Sequence, residues 1–217
     1  MGEDLLLAMA ESVIEGDKET AGRLAEEALA KKMSPLSAVT DGFVKGIQEM
    51  GDRFGAGECY LPELVMAAEA MKSALAILEP ELAARGLERS TFGKAVAGTV
   101  EGDIHEIGKS IVCTMLIASG FEVVDLGVDV APEQVVEAVR EHQPDLVLLS
   151  ALLTTTMPKQ GETIEALIEA DLRDQVKVMV GGAPLTQEWC DSIHADGYGA
   201  DAIAAVNLAK LLLDAPA

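Results

Sequence analysis

Basic side chains are scarce in this sequence: 16 Lys and Arg stand against 37 Asp and Glu in 217 residues, a formal net charge of −21. Such a chain repels phosphate backbones and anionic lipid alike, which argues against nucleic acid and membrane surfaces as partners. It also lacks an uncharged apolar run of about 18 residues, the least that would span a bilayer. The start, Met1-Gly2-Glu3-Asp4, has none of the positive charge that opens a signal peptide, so a cytoplasmic location is expected. Cysteine is sparse as well. Cys59, Cys113 and Cys190 are far apart and make neither a C-x-x-C pair nor an even disulfide set, so they are expected to be reduced and mostly buried. Of the three histidines, His142 and His194 read as surface residues, which leaves an ordinary zinc site without ligands.

Core material is ample, with 49% hydrophobic and 24% charged residues, and the length suits one small and one medium domain. From Asp4 to about Ala84 apolar residues recur every three and four positions, the pattern of amphipathic helices. A first helix stops near Gly16; a second starts after Asp17, a good N-cap, and ends at Lys31-Lys32, whose charges suit a helix C-terminus. Ser34-Pro35 opens a third, with Val39, Phe43, Ile47, Met50 and Phe54 on one side and Gly55-Ala56-Gly57 at its end. Leu61-Pro62 opens a fourth that runs to about Leu78. Each apolar stripe must find another, which predicts a four-helix bundle over residues 1–85 and a linker at 86–92.

Over residues 93–217 short β-rich runs alternate with helical stretches. The runs are Lys94–Val100, Phe121–Leu126, Asp145–Ser150, Lys177–Val180 and a weak one near Gly197-Tyr198. The helical stretches are Ile107–Ser119, Pro132–His142, Pro158–Ala170, Thr186–Ala195 and Asp201–Leu213. A segment such as Leu146-Val147-Leu148-Leu149 implies a strand buried on both faces. The fold class is therefore α/β, with a five-stranded parallel, doubly wound, flavodoxin-like or Rossmann-like domain after the helical one. Ligands of such folds lie beyond the carboxyl ends of the strands, here the loops after the first, third and fourth.

The first of these loops reads Gly102-Asp103-Ile104-His105-Glu106-Ile107-Gly108. A neutral imidazole can bind a metal through one nitrogen while giving its other N–H to a carboxylate, so Asp103 and His105 have the makings of a ligand and its orienter. One histidine suffices only for a metal that brings most of its ligands in a macrocycle, haem or corrinoid. The second loop is Ser150-Ala151-Leu152-Leu153-Thr154-Thr155-Thr156 and the third Gly181-Gly182-Ala183-Pro184. Their small and hydroxyl-bearing residues allow a bulky ligand to pass close to the backbone.

Asp103-x-His105-x-x-Gly108, then Ser150-x-Leu152, then Gly181-Gly182, resembles the corrinoid-binding signature of cobalamin-dependent methyltransferases and mutases. The segment from Gly51-Asp52-Arg53-Phe54 through Tyr60-Leu61-Pro62-Glu63-Leu64 to Ala70-Met71 resembles the helical cap beside that domain in methionine synthase and corrinoid proteins. The resemblance spans nearly the whole chain. It implies a cobalamin, as methylcobalamin, with His105 replacing the nucleotide tail on cobalt and the tail in a slot beside Ser150, Leu152, Thr154, Gly181 and Gly182. It further implies that Asp103 accepts from the second imidazole nitrogen and Ser150 bonds Asp103. Phe54, Tyr60, Leu61 and Leu64 would face the cofactor from a cap that moves aside on a hinge near Arg85–Ser90. The implied role is a non-catalytic methyl carrier between a substrate methyltransferase and an acceptor methyltransferase, with a reductive activase as a further partner. The alternatives are the small subunit of an adenosylcobalamin mutase, which normally lacks the helical cap, a cobalamin-based sensor, and a flavodoxin-like signalling domain with an incidental histidine.

Overall fold

A computed structural model describes residues 2–87 and 91–213. Of the hinge segment expected near Arg85–Ser90, residues 88–90 lie outside the described residues. The chain divides into two compact units, one of Met1–Thr91 with Ile117–Gly120 and the other of Phe92–Leu116 with Phe121–Ala217.

The first unit is helical: α1 Gly2–Ile14, α2 Lys18–Ala30, α3 Pro35–Ser37, α4 Val44–Gly55 and α5 Leu61–Ala84. The Asp17 carboxylate caps α2, accepting from the Thr20 N–H at 2.9 Å. The third predicted helix is not a regular α-helix, because residues Ala38–Phe43 between α3 and α4 are wound as a π-helix. Glycines set the close approach of α1 there. A Cβ on Gly42 would sit 2.9 Å from Met9 Sδ, and one on Gly46 only 2.4 Å from the Ala10 carbonyl oxygen. The fourth helix passes its expected end at Leu78 and runs through Pro80 to Ala84. Leu82, buried like Leu75 and Leu78, continues the apolar stripe, and its burial outweighs the hydrogen bond that proline removes.

The second unit holds five parallel strands, β1 Lys94–Thr99, β2 Glu122–Asp125, β3 Leu146–Ser150, β4 Lys177–Gly181 and β5 Gly197–Gly199, in the order β2-β1-β3-β4-β5. Helices α6 Ile107–Ala118, α7 Pro132–His142, α8 Pro158–Glu169, α9 Gln187–Ser192 and α10 Ala202–Leu212 wind the sheet on both sides. The alternation of side chains along each strand separates two cores. Val147, Leu149, Val178 and Val180 pack with residues of α7, α8 and α9, whereas Ala97, Leu148 and Met179 pack with residues of α6 and α10. Strand order reverses direction between β1 and β3, the switch point where an α/β sheet opens a crevice at its carboxyl edge.

Candidate functional site

Three loops meet at that edge. The first follows β1 and carries the buried Asp103, whose carboxylate is fully enclosed. Its Oδ1 accepts from the His105 backbone N–H at 3.1 Å and faces the imidazole Nδ1 at 2.7 Å. Its Oδ2 accepts from the Leu152 N–H at 2.8 Å, the Leu153 N–H at 3.3 Å and the Thr156 hydroxyl at 2.7 Å. Burial pushes the Asp103 pKa up, but the bonds from Thr156, Leu152 and His105 outweigh it and hold the carboxyl well below the usual range.

An ionised carboxylate only accepts, so Nδ1 of His105 carries a proton, and in the tautomer this selects Nε2 is the nitrogen with the lone pair. The Thr99 hydroxyl, buried at the end of β1, donates to the His105 carbonyl at 3.2 Å and fixes the other side of the residue. The imidazole itself is open, 47% exposed, and lines a cavity of about 710 Å³.

The sheet register explains the cavity. Thr99, Ser150, Gly181 and Gly199 stand side by side in one row across β1, β3, β4 and β5, and the row two residues below is Ala97, Leu148, Met179 and Gly197. In the upper row Ser150 and the two glycines leave space above the sheet between α6 and α10. The buried Ala97, Leu148, Met179, Cys113 and Ala205 form an apolar floor, while Ile104, Ile107 and Leu152 are exposed at the mouth. Gly182, at φ +137°, lets the third loop lie against the second: a Cβ there would be 1.8 Å from the Ala151 carbonyl oxygen. Gly108 borders the cavity with nothing within 4 Å of where its Cβ would be.

His105 with Ile104, Glu106, Ile107 and Gly108, and Ser150, Leu152, Gly181 and Gly182, therefore come together around one cavity, with Gly102 and Asp103 supporting from behind. Two expectations are corrected. Ser150 does not bond Asp103; the strand alternation puts it on the cavity side with Leu148, and the hydroxyl on the carboxylate is that of Thr156. Thr154 is exposed on the loop and does not line the cavity. Thr156 was the residue missed. The run Thr154-Thr155-Thr156 offered three hydroxyls, and nothing local distinguishes the one that turns inward. On the helical unit, Leu64 is buried, Phe54 and Leu61 are half-buried and Tyr60 is exposed. Among the described residues no group of three or more His, Cys, Asp or Glu side chains could hold a metal, so His105 offers a single ligand.

Comparison with known proteins adds an independent observation. The B12 binding domain family matches residues 93–207, and a second family, also described as a B12 binding domain, matches residues 5–79. The chain is 47% identical to trimethylamine corrinoid protein 2 of Methanosarcina mazei over 97% of both chains. It is also 47% identical to a corrinoid protein of Desulfitobacterium hafniense, over 96% of this chain and 97% of that one. Among solved structures it resembles the methanol:cobalamin methyltransferase complex MtaBC from Methanosarcina barkeri, with a TM-score of 0.85 at 28% identity, covering 98% of this chain and 81% of that one.

Proposed function

This chain belongs to the B12 binding domain family, and from that premise we propose that it is a corrinoid protein, in which His105 would ligate the cobalt of a cobalamin-class cofactor that carries a methyl group between methyltransferases. The observation that carries the reading is the pinned imidazole beside an apolar cavity. The residues fit such a group in three ways. A single histidine suits a metal whose equatorial ligands come from its own ring. The space above Ser150, Gly181 and Gly199 has a buried apolar floor, which suits an inserted apolar or aromatic part of such a cofactor. The exposed Ile104, Ile107 and Leu152 at the mouth offer apolar surface to a macrocycle.

When bound, the cobalt supplies the atom to which a methyl group is attached and from which it is removed. The chain's own residues set the conditions. Asp103, kept ionised, holds the proton on Nδ1 and so keeps the Nε2 lone pair of His105 available as a donor. Thr156, Leu152 and Leu153 hold that carboxylate still, which fixes the plane of the ring. Leu148, Met179 and Cys113 exclude water from the floor. To the helical unit we assign the cover of the reactive face. Tyr60, Phe54 and Leu61 have surface to give to that role, whereas Leu64, only 1% exposed, is committed to burial.

The donor-side partner favoured by the relatives is a methylamine methyltransferase, since the chain resembles trimethylamine and dimethylamine corrinoid proteins over nearly its full length. An acceptor methyltransferase and a reductive activase complete the partner set of this reading. The helical unit, itself of a B12-binding family, speaks against the small subunit of a mutase.

The test is to incubate the cobalamin-loaded, reduced full chain with a purified trimethylamine methyltransferase and isotope-labelled trimethylamine. About one label per chain is expected, with transfer reduced at least tenfold in His105→Ala, an order-of-magnitude expectation for losing one metal ligand or its orienter. No label from trimethylamine, dimethylamine or methanol through their respective methyltransferases would overturn the carrier role.

A further inference from the structure

The connection between β2 and α7 grips the His105 loop from the side away from β3, and we infer that Asp129 in it is a positioning residue for the cobalt ligand, acting through Asp103. The inference rests on the reading of His105 given above. Asp129 occupies the left-handed region at φ +55°, which few side chains tolerate and which Asp and Asn adopt more readily than most. Held so, it makes two bonds of opposite polarity to one turn. Its Oδ1 accepts from the Gly102 N–H at 2.7 Å, and its own N–H donates to the Asp103 carbonyl at 2.9 Å. Gly102 is itself left-handed, at φ +78°. The backbone that launches the Asp103 side chain is therefore bracketed on both sides by one residue 26 positions downstream.

The rest of the connection is anchored so that this grip has something to pull against. The Thr99 N–H donates to the Gly127 carbonyl and the Val130 N–H to the Thr99 carbonyl, both at 3.0 Å, and Val100 and Val130 form an isolated parallel bridge. Asp125 accepts from the Gly127 N–H at 2.9 Å and pairs with Lys109, a buried ammonium in the first turn of α6, just beyond His105.

Asp129 is not the cap of α7: it lies two residues before the N-cap, Ala131, whose own N–H donates to Gln134 Oε1 at 2.9 Å. Asp129 makes no salt bridge among the described residues, so its side chain is spent on Gly102. The β3 side, through Leu152, Leu153 and Thr156, fixes the carboxylate of Asp103; Asp129 fixes its backbone. Both restraints reach the ring through one contact, because among the described residues it is Asp103 that bonds Nδ1.

Asp129→Gly separates acceptor from conformation, since glycine adopts the left-handed region freely but offers no Oδ1. Asp129→Asn keeps both. Full-length chains loaded with cobalamin are compared by visible spectrum for the ratio of histidine-on to histidine-off forms, with His105→Ala as the histidine-off reference. A single exposed hydrogen bond supports a change of no more than about tenfold, so Asp129→Gly is expected to lower the ratio by about threefold to tenfold while Asp129→Asn stays within about twofold of native. Melting temperatures are recorded alongside, because a merely structural role lowers them without moving the ratio. Should Asp129→Gly fail to fold, Asp129→Ala carries the test, since it too offers no acceptor. An unchanged ratio in the glycine or alanine variant overturns the inference, as does an asparagine variant as deficient as glycine. A native chain without any histidine-on spectrum instead overturns the ligand reading beneath it, so the two failures are distinguishable.

Discussion

The residue on which the site turns is Asp103, a buried carboxylate that collects bonds from two loops and passes their restraint to one imidazole. Thr156→Val removes the hydroxyl while keeping the shape, and leaves Oδ2 with only its two backbone donors. A lost bond to a buried charged group costs about 1–3 kcal/mol, which for a chain of this size is a fall in Tm of roughly 2–12 °C, readable by calorimetry. Thr156→Ser should recover most of it. The pH dependence has a definite sign. Because the folded state holds the Asp103 pKa below its ordinary value, the stability it contributes is present above the ordinary carboxylate range and is lost as pH falls through it toward the folded value. A Tm profile from pH 7 to pH 2 should therefore drop on the acid side, and the drop should be shallower in Asp103→Asn. Asp103 and His105 were legible in sequence because a carboxylate two residues from a histidine at a strand end is a local pattern. Thr156 and Asp129 were not, because their bonds to that loop span 53 and 27 residues and exist only once the sheet has formed.

At the scale of elements, glycines decide which segments touch. Gly182→Ala places a Cβ 1.8 Å from the Ala151 carbonyl oxygen in a backbone conformation that alanine avoids, so the β3 and β4 loops must separate. The expected loss exceeds about 3 kcal/mol, the sum of a backbone clash and left-handed strain, and shows as a large fall in Tm or in soluble yield. Gly108→Leu is the counterpart. Its site is open, so the fold should stay within about 0.5 kcal/mol of native, while the added side chain enters the cavity and weakens cobalamin binding at least about tenfold, the size of one obstructed apolar contact. Equilibrium dialysis against the apo-protein reads the second effect and thermal melting the first. Strands β1 to β4 and helix α7 could be placed from sequence within a residue or two, since each strand carries a short apolar run such as Val123-Val124 or Leu146-Val147-Leu148-Leu149 and Pro132 marks the first turn of α7. The π-helical turn at Ala38–Phe43 could not, because it has the same apolar spacing as a regular helix and answers to the fit against α1. Nor could the extension of α5 through Pro80, where tertiary burial of Leu82 overrides a local breaker.

For the molecule as a whole, a formal charge of −21 on 217 residues predicts self-repulsion in the folded state. Added salt screens it, so Tm should rise by a few degrees between low ionic strength and about 0.5 M sodium chloride, where the Debye length falls below roughly 5 Å; an unchanged Tm would mean the charges are already spaced beyond mutual influence. The parallel sheet order β2-β1-β3-β4-β5 places its switch point between β1 and β3, and the histidine loop and the Ser150 loop leave the sheet on either side of it. The family signature adds to this geometry by naming the class of ligand that such a crevice holds. The most direct test of the account is the visible spectrum of the full chain loaded with cobalamin, beside that of His105→Ala. About one corrinoid per chain with a histidine-on spectrum, converted to histidine-off in the variant, is the predicted result. Identical spectra in the two proteins, or no corrinoid retained by the native chain, would contradict it.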